Sequence, residues 1–159
     1  MTEPAAYTDP RELAAPVASS PGIEYFRRII AGELPPQPIA ALVGMRGVEA
    51  EPGRAVFELT PGPQHFKRDR DGARWDRADA AVDSAMSSAV HTLLDAGVVY
   101  TTLEVKVNFV RAITAETGPI RCEGTVVHGG SRVATAEGQI VDGAGRLLAH
   151  GTTTCLILR

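Results

Sequence analysis

The hydrophobic period of this chain changes at Gly97, and that change limits what it can fold into. Before it, Ala81, Val82, Ala85, Met86, Ala89, Val90 and Leu93 recur at spacings of three and four, the mark of one apolar helix face. After it, Leu103, Val105, Val107 and Phe109 alternate with Thr102, Glu104, Lys106 and Asn108, the mark of a strand with one inward face. The stripe predicts a helix from about Asp76 to Ala96, ended by Gly97. Its residues are small, which suits a helix pressed close against a neighbour. Beyond it, "TLEVKVNFVRA", "GPIRCEGTVVH", "RVATAEGQIVD" and "RLLAHGTTTCLIL" read as strands. Gly129-Gly130-Ser131 and Gly143-Ala144-Gly145 join the last three as hairpins. One long helix and a four-strand antiparallel meander make an α+β arrangement, because a meander has one apolar face and a single striped helix can cover it.

The first half carries weaker signals. Residues 1–20 are rich in Ala, Pro and Ser and read as a disordered N-terminal tail, leaving 21–159 as one domain. "PGIEYFRRIIAGELPP" predicts a short helix with Ile23, Phe26, Ile29 and Ile30 on one face, stopped by Pro35-Pro36. "IAALVGMRGVEAEPGRAVFEL" reads as a hairpin of two strands turning at Glu51-Pro52-Gly53. The segment "TPGPQHFKRDRDGARWD" is then a loop.

At 159 residues the chain is long enough for a modest core, and with aromatics at only 5% the aliphatic residues must fill it. The net charge of −3 argues against a nucleic-acid partner, which calls for a basic stripe. No apolar run approaches the roughly 20 residues of a membrane helix, and no secretion signal opens the chain. Cys122 and Cys155 both lie in apolar, strand-like runs, so two buried reduced thiols in a cytoplasmic protein are expected. Neither has a second Cys or His at ligand spacing, so no metal site is expected.

Asp83 is the most pointed candidate for chemistry. It sits among Ala80, Ala81, Val82, Ala85 and Met86, where a carboxylate is costly unless it is paired or faces solvent. Its two readings are a solvent-facing acid and a carboxylate that attacks a carbonyl or activates water. His65, His91, His128 and His150 are read as surface or structural residues. No serine stands in a nucleophile elbow and no phosphate loop is present.

Residues 100–158 resemble the C-terminal half of hotdog-fold acyl-CoA thioesterases of the phenylacetate-degradation (PaaI) type, and "VDSAMSSAVHTLLDAG" resembles their central helix. The resemblance implies a hotdog fold, in which an antiparallel sheet wraps a long helix. It also implies a homodimer or homotetramer with active sites at the dimer interface, and an acyl-CoA substrate with no further cofactor. In that family a His-Gly-Gly loop stands nine residues before a helical acid. Asp83 matches the acid, as nucleophile or general base, and Ser87 matches a hydroxyl that helps place water. Counting back nine from Asp83 reaches Arg74, so Arg74, Trp75 and Asp76 occupy the substrate-binding loop positions. Losing one oxyanion donor there costs about 2.7–4 kcal/mol in the transition state, so the altered loop 68–82 is expected to impair turnover.

That loop has two readings. With permitted codons, residues 69–81 back-translate to DNA that reads Ile-Gly-Thr-Val-His-Gly-Gly-Ile-Ala-Arg-Thr-Leu-Leu one nucleotide along. Trp75 has a single codon, which with the next Asp forces the second glycine. The segment then is a short out-of-frame stretch between two compensating indels. The other reading is a natural loop in which Arg74 faces a phosphate. The function expected is hydrolysis of a small or aromatic acyl-CoA. The alternative is an inactive hotdog protein that binds acyl-CoA or a protein partner. A hotdog dehydratase fits less well, because the His-Asp or His-Glu arrangement of that branch is missing.

Overall fold

Helix α4, Ala78–His91, is the element around which the rest is arranged. It runs across one face of a six-stranded antiparallel sheet in the computed structural model, which describes residues 9–67, 74–75 and 78–159. The elements before it are α1 (Pro10–Ser19), α2 (Gly22–Ile30), α3 (Pro38–Val43), β1 (Arg46–Glu51), β2 (Arg54–Leu59) and the two-residue strands β3 (Phe66–Lys67) and β4 (Arg74–Trp75). After it come β5 (Val99–Phe109), β6 (Ile120–Gly129), β7 (Val133–Asp142) and β8 (Leu147–Leu158). The sheet order is β1-β2-β6-β7-β8-β5, and β3 pairs with β4 in a separate two-stranded sheet. Among the described residues, no helix is long and apolar enough to cross a membrane.

The apolar stripe is the core. Ala81, Val82, Ala85, Met86, Ala89 and Val90 are all at most 1% exposed. What lets the helix come so close is a row of glycines. Gly124 of β6 pairs with Gly138 of β7, and Gly138 pairs with Gly151 of β8. A Cβ on Gly124 would overlap the backbone carbonyl of Ala85, and one on Gly138 would stand 2.7 Å from Cγ of Met86. The helix backbone therefore lies almost on the sheet backbone there, a distance that only residues without side chains permit.

Several expectations need correction. The strands do not form a simple meander: β5 crosses to the far edge and pairs with β8, while β6 pairs with β2 of the earlier hairpin. Alternation says which face a residue takes, not which strand lies beside it. The supposed first strand of that hairpin begins as α3, with Pro38 at its start and Gly44 at φ 71° as its left-handed cap. The hairpin proper is β1–β2, turning through Gly53 at φ 78°. The tail ascribed to residues 1–20 is helical over Pro10–Ser19, where Asp9 accepts the Arg11 N–H at 2.9 Å as an N-cap.

The central helix also stops earlier than Ala96. After His91 the bonds tighten to three-residue spacing, Leu93 N–H to Val90 O and Leu94 N–H to His91 O. The Thr92 hydroxyl donates to Ala89 O at 2.6 Å and accepts the Gly53 N–H at 2.8 Å, which ties the helix end to the hairpin turn. Leu93, expected on the buried stripe, is 45% exposed as a result. Gly97, at φ 77°, belongs to the later turn into β5.

The glycine row makes a direct prediction. Gly124→Ala is expected to destabilise the fold by at least about 1–3 kcal/mol through overpacking, lowering the thermal midpoint by about 2–4 °C per kcal/mol. Gly143→Ala, where an added methyl meets nothing within 4 Å, should leave the midpoint unchanged. Differential scanning calorimetry of the two variants checks both.

Candidate active site

An open cavity of about 410 Å³ lies where α4, β5, β2 and the segment around α3 meet. Ala80, Asp83, Ser84, Ser87 and Ser88 line it from the helix. They fall at spacings of three and four and so form one face, beside the apolar stripe. Tyr100 and Thr102 line it from β5, two residues apart on one face of the strand. Gln37, Ile39, Met45 and Phe57 complete the wall.

Strand β5 reaches the cavity through an irregularity. Its register with β8 shifts between Thr102 and Glu104, which leaves Leu103 unpaired. The bulge reverses the faces the alternation predicts. Thr102 pairs with buried Cys155 and turns inward, and Leu103 is 57% exposed. Beyond the bulge Val105 pairs with buried Thr153, but on this edge strand only Val107 packs against the core, and Val105 and Phe109 stay 42% and 57% exposed.

Asp83 is half-buried, and its Oδ1 is fully buried with no hydrogen-bond partner among the described residues. Burial pushes its carboxyl above the usual carboxylate range, and the negative charge of Asp79 one turn earlier adds to the rise. A hydrogen bond from Thr102 opposes it. Such an oxygen is costly to bury, and a carboxyl of raised proton affinity that lines a cavity is a candidate for chemistry there.

Around it are hydroxyls. Ser87 is buried one turn from Asp83, and its Oγ–H donates to Ser84 O at 3.4 Å. Burial raises the Tyr100 phenol to about 12, against the opposing effect of the neighbouring Ser87 hydroxyl. The Tyr100 ring packs edge-on to His91, with centroids 5.5 Å apart. His91 is buried against Tyr25 and Phe26 as well, and burial lowers it to about 4, so it is neutral at physiological pH.

Asp83 and Ser87 both line this cavity. Arg74 and Trp75 belong to β4, where Trp75 pairs with Phe66 and Arg74 with Lys67. Asp76 lies outside the described residues, as does most of the loop assigned to substrate binding. None of the four histidines lines the cavity. His65 accepts the Gly62 N–H and donates to Val43 O, both at 2.8 Å, a structural role. Cys122 and Cys155 are free and buried. Among the described residues, no group of three His, Cys, Asp or Glu side chains could hold a metal ion.

Sequence reasoning missed Tyr100, Thr102 and Gln37. The first two were legible only as polar members of an alternating strand, and the bulge that turns Thr102 inward leaves no mark in the hydrophobic pattern.

The sequence profile of the thioesterase superfamily matches residues 80–149, from the cavity face of α4 into β8. Solved structures share the architecture. The fold is the hotdog fold. The PaaI protein from the phenylacetic acid degradation operon of Escherichia coli superposes with a TM-score of 0.73 at 15% identity, covering 86% of this chain and 96% of that one. A phenylacetic acid degradation-related protein of Ralstonia eutropha gives 0.73 at 23% identity, covering 83% and 98%. A conserved protein of Pseudomonas aeruginosa gives 0.67 at 29% identity, covering 75% and 92%. The search of curated proteins gives no match.

The shifted carboxyl of Asp83 in this hotdog domain has a measurable consequence. Its folded value lies above the unfolded value of about 3.8, so the unfolded chain loses its proton first as pH rises. Stability is full below that value and falls as pH rises through the folded one. Asp83→Asn, which resembles the protonated acid, is expected to raise the thermal midpoint at pH 7, with the gain vanishing below about pH 4. Melting curves between pH 3.5 and 7 test this, and a gain that does not depend on pH contradicts it.

Proposed function

We propose that this hotdog protein is an acyl-CoA thioesterase acting on a small or aromatic acyl group, with Asp83 as its general base or nucleophile. One observation carries the reading: a half-buried carboxylate, with one oxygen unpartnered among the described residues, faces an open cavity. As general base, Asp83 takes a proton from water while the water oxygen bonds to the thioester carbon. The carbon–sulfur bond then breaks, the sulfur leaves as the coenzyme A thiolate, and the proton held by Asp83 returns to it. As nucleophile, a carboxylate oxygen bonds to the same carbon, the carbon–sulfur bond breaks and the coenzyme A thiolate leaves, and water then hydrolyses the resulting anhydride to the free acid and the regenerated Asp83 carboxylate. The Thr102 hydroxyl beside the carboxylate and Ser87 one turn on help to hold the water. Coenzyme A is part of the substrate, and no cofactor is required. Buried, free Cys122 and Cys155 fit a cytoplasmic setting.

In this reading Arg74, Trp75 and Asp76 hold the sequence positions of the substrate-binding loop, and a phosphate partner for Arg74 belongs to the natural-loop alternative. By sequence position Trp75 and Asp76 replace the two glycines of that loop, so slow turnover is expected. Resequencing the codons for 69–82 separates an out-of-frame stretch from a natural loop. The variant Arg74→His/Trp75→Gly/Asp76→Gly is expected to raise kcat by about 10²–10³-fold. Asp83→Asn is expected to abolish hydrolysis of benzoyl-CoA and short acyl-CoAs. Equal rates for the wild type and Asp83→Asn overturn the reading. Calorimetric binding of an acyl-CoA without product supports the alternative, a protein that holds the ester without turnover.

Edge-to-edge pairing through β5 is part of the proposal. That strand is the sheet's edge, and Leu103, Val105 and Phe109 are 57%, 42% and 57% exposed. Antiparallel self-pairing centred on Val105 sets Glu104 of one copy opposite Lys106 of the other and Leu103 opposite Val107. A homodimer, or a tetramer built from two, is expected in sedimentation at micromolar concentration. Lys106→Glu is expected to weaken it and Glu104→Lys/Lys106→Glu to restore it. A monomeric wild type contradicts the pairing.

A further inference from the structure

The cavity ends before the helix does. Among the described residues, its lining from α4 stops at Ser88, and His91, about one turn further, takes no part in it. Tyr100, at the second position of β5, stands at this end. It lines the cavity, and its ring packs edge-on to the buried His91 ring, with centroids 5.5 Å apart. His91 is fixed in turn. The buried rings of Tyr25 and Phe26 on α2 also pack against it, at centroid distances of 5.8 and 5.4 Å. Helix α2 is itself locked to this end of α4: Gly22 donates its N–H to Leu94 O at 2.9 Å, and a Cβ on Gly22 would overlap the His91 carbonyl. The Tyr100 ring therefore has a close-packed backing that does not yield to a ligand.

We propose that the Tyr100 ring is the end stop of the acyl pocket, and that it limits the hydrolysed acyl group to about six carbons or a single aromatic ring. The inference rests on Asp83 being the reacting carboxylate. From Asp83 to Ser88 the helix rises about 7.5 Å, the length of an extended chain of about six carbons. Coenzyme A is far too large to enter a cavity of about 410 Å³. It stays at the open side, and the acyl group is the part that reaches Tyr100. Met45 and Phe57, each 4% exposed, give that group an apolar wall held by the core. A longer chain has to displace a ring that is already packed against other rings, and such overpacking is costly.

The experiment measures kcat/KM for butyryl-, hexanoyl- and decanoyl-CoA and reads the decanoyl-to-hexanoyl ratio. A merely structural role for Tyr100 would lower every ester alike and leave that ratio unmoved. In the wild type decanoyl-CoA is expected at least about 10-fold below hexanoyl-CoA. Tyr100→Val shortens the side chain and still suits a strand, and it is expected to raise the ratio at least about 10-fold. Tyr100→Phe keeps the ring and is expected to keep the wild-type ratio. Tyr100→Trp lengthens the stop and is expected to lower hexanoyl-CoA relative to butyryl-CoA, which decides the matter should Tyr100→Val fail to fold. A wild type that cleaves decanoyl-CoA as well as hexanoyl-CoA overturns the proposal. So does an unchanged ratio in a folded Tyr100→Val, or an unchanged preference in Tyr100→Trp. A wild type that hydrolyses none of the esters counts against the thioesterase reading, and the same ratios are then taken from calorimetric dissociation constants. Binding of none of them overturns the end stop as well.

Discussion

The close seat of α4 on the glycines of β6 and β7 is the contact from which the rest of the domain follows. Helices normally pack about 8–10 Å from a neighbouring axis because side chains keep them apart. Gly124 and Gly138 remove that spacer, so Ala85 and Met86 meet the sheet almost at backbone distance. The small residues of the stripe are the other half of the same arrangement. Tight seating fixes the rotation of the helix. With the face of Ala81 and Ala85 pinned to the sheet, the adjacent face of Asp83, Ser84, Ser87 and Ser88 turns toward β5 and the cavity.

That geometry gives Asp83 its character. A side chain at the rim of a buried face is neither fully solvated nor fully paired. The nearby Ser87 hydroxyl has a partner of its own, the Ser84 carbonyl. Only Thr102 offsets the burial of the carboxylate. Fold stability is lower for it, a cost of the kind that functional sites commonly carry. The buried aromatic group of Tyr25, Phe26 and His91 backs Tyr100 and steadies the wall from behind.

Much of this was legible in the sequence, and the illegible parts have physical reasons. The stripe from Ala81 to Val90 reads directly, because every member is buried against one surface. The turns at Gly53, Gly129-Gly130 and Gly143-Gly145 read directly from their glycines. The helix α3 was hidden because "IAALV" is a short apolar run that strand and helix share. The place of β5 beside β8 was hidden because alternation carries no information on neighbours. Asp83 emerged from its place among apolar residues together with the resemblance to hotdog thioesterases, and Ser87 from that resemblance alone. Tyr100 and Thr102 did not, because a single bulged residue at Leu103 decides which face of the strand they take.

The most direct measurement is a crystal structure with a hydrolysis-resistant acyl-CoA ketone bound. The carbonyl carbon is expected in the cavity between α4 and β5, within about 3.5 Å of an Asp83 carboxylate oxygen or of a water that it holds. An acyl group lodged elsewhere, with both Asp83 oxygens turned to bulk solvent, would contradict the assignment of this carboxylate to thioester chemistry.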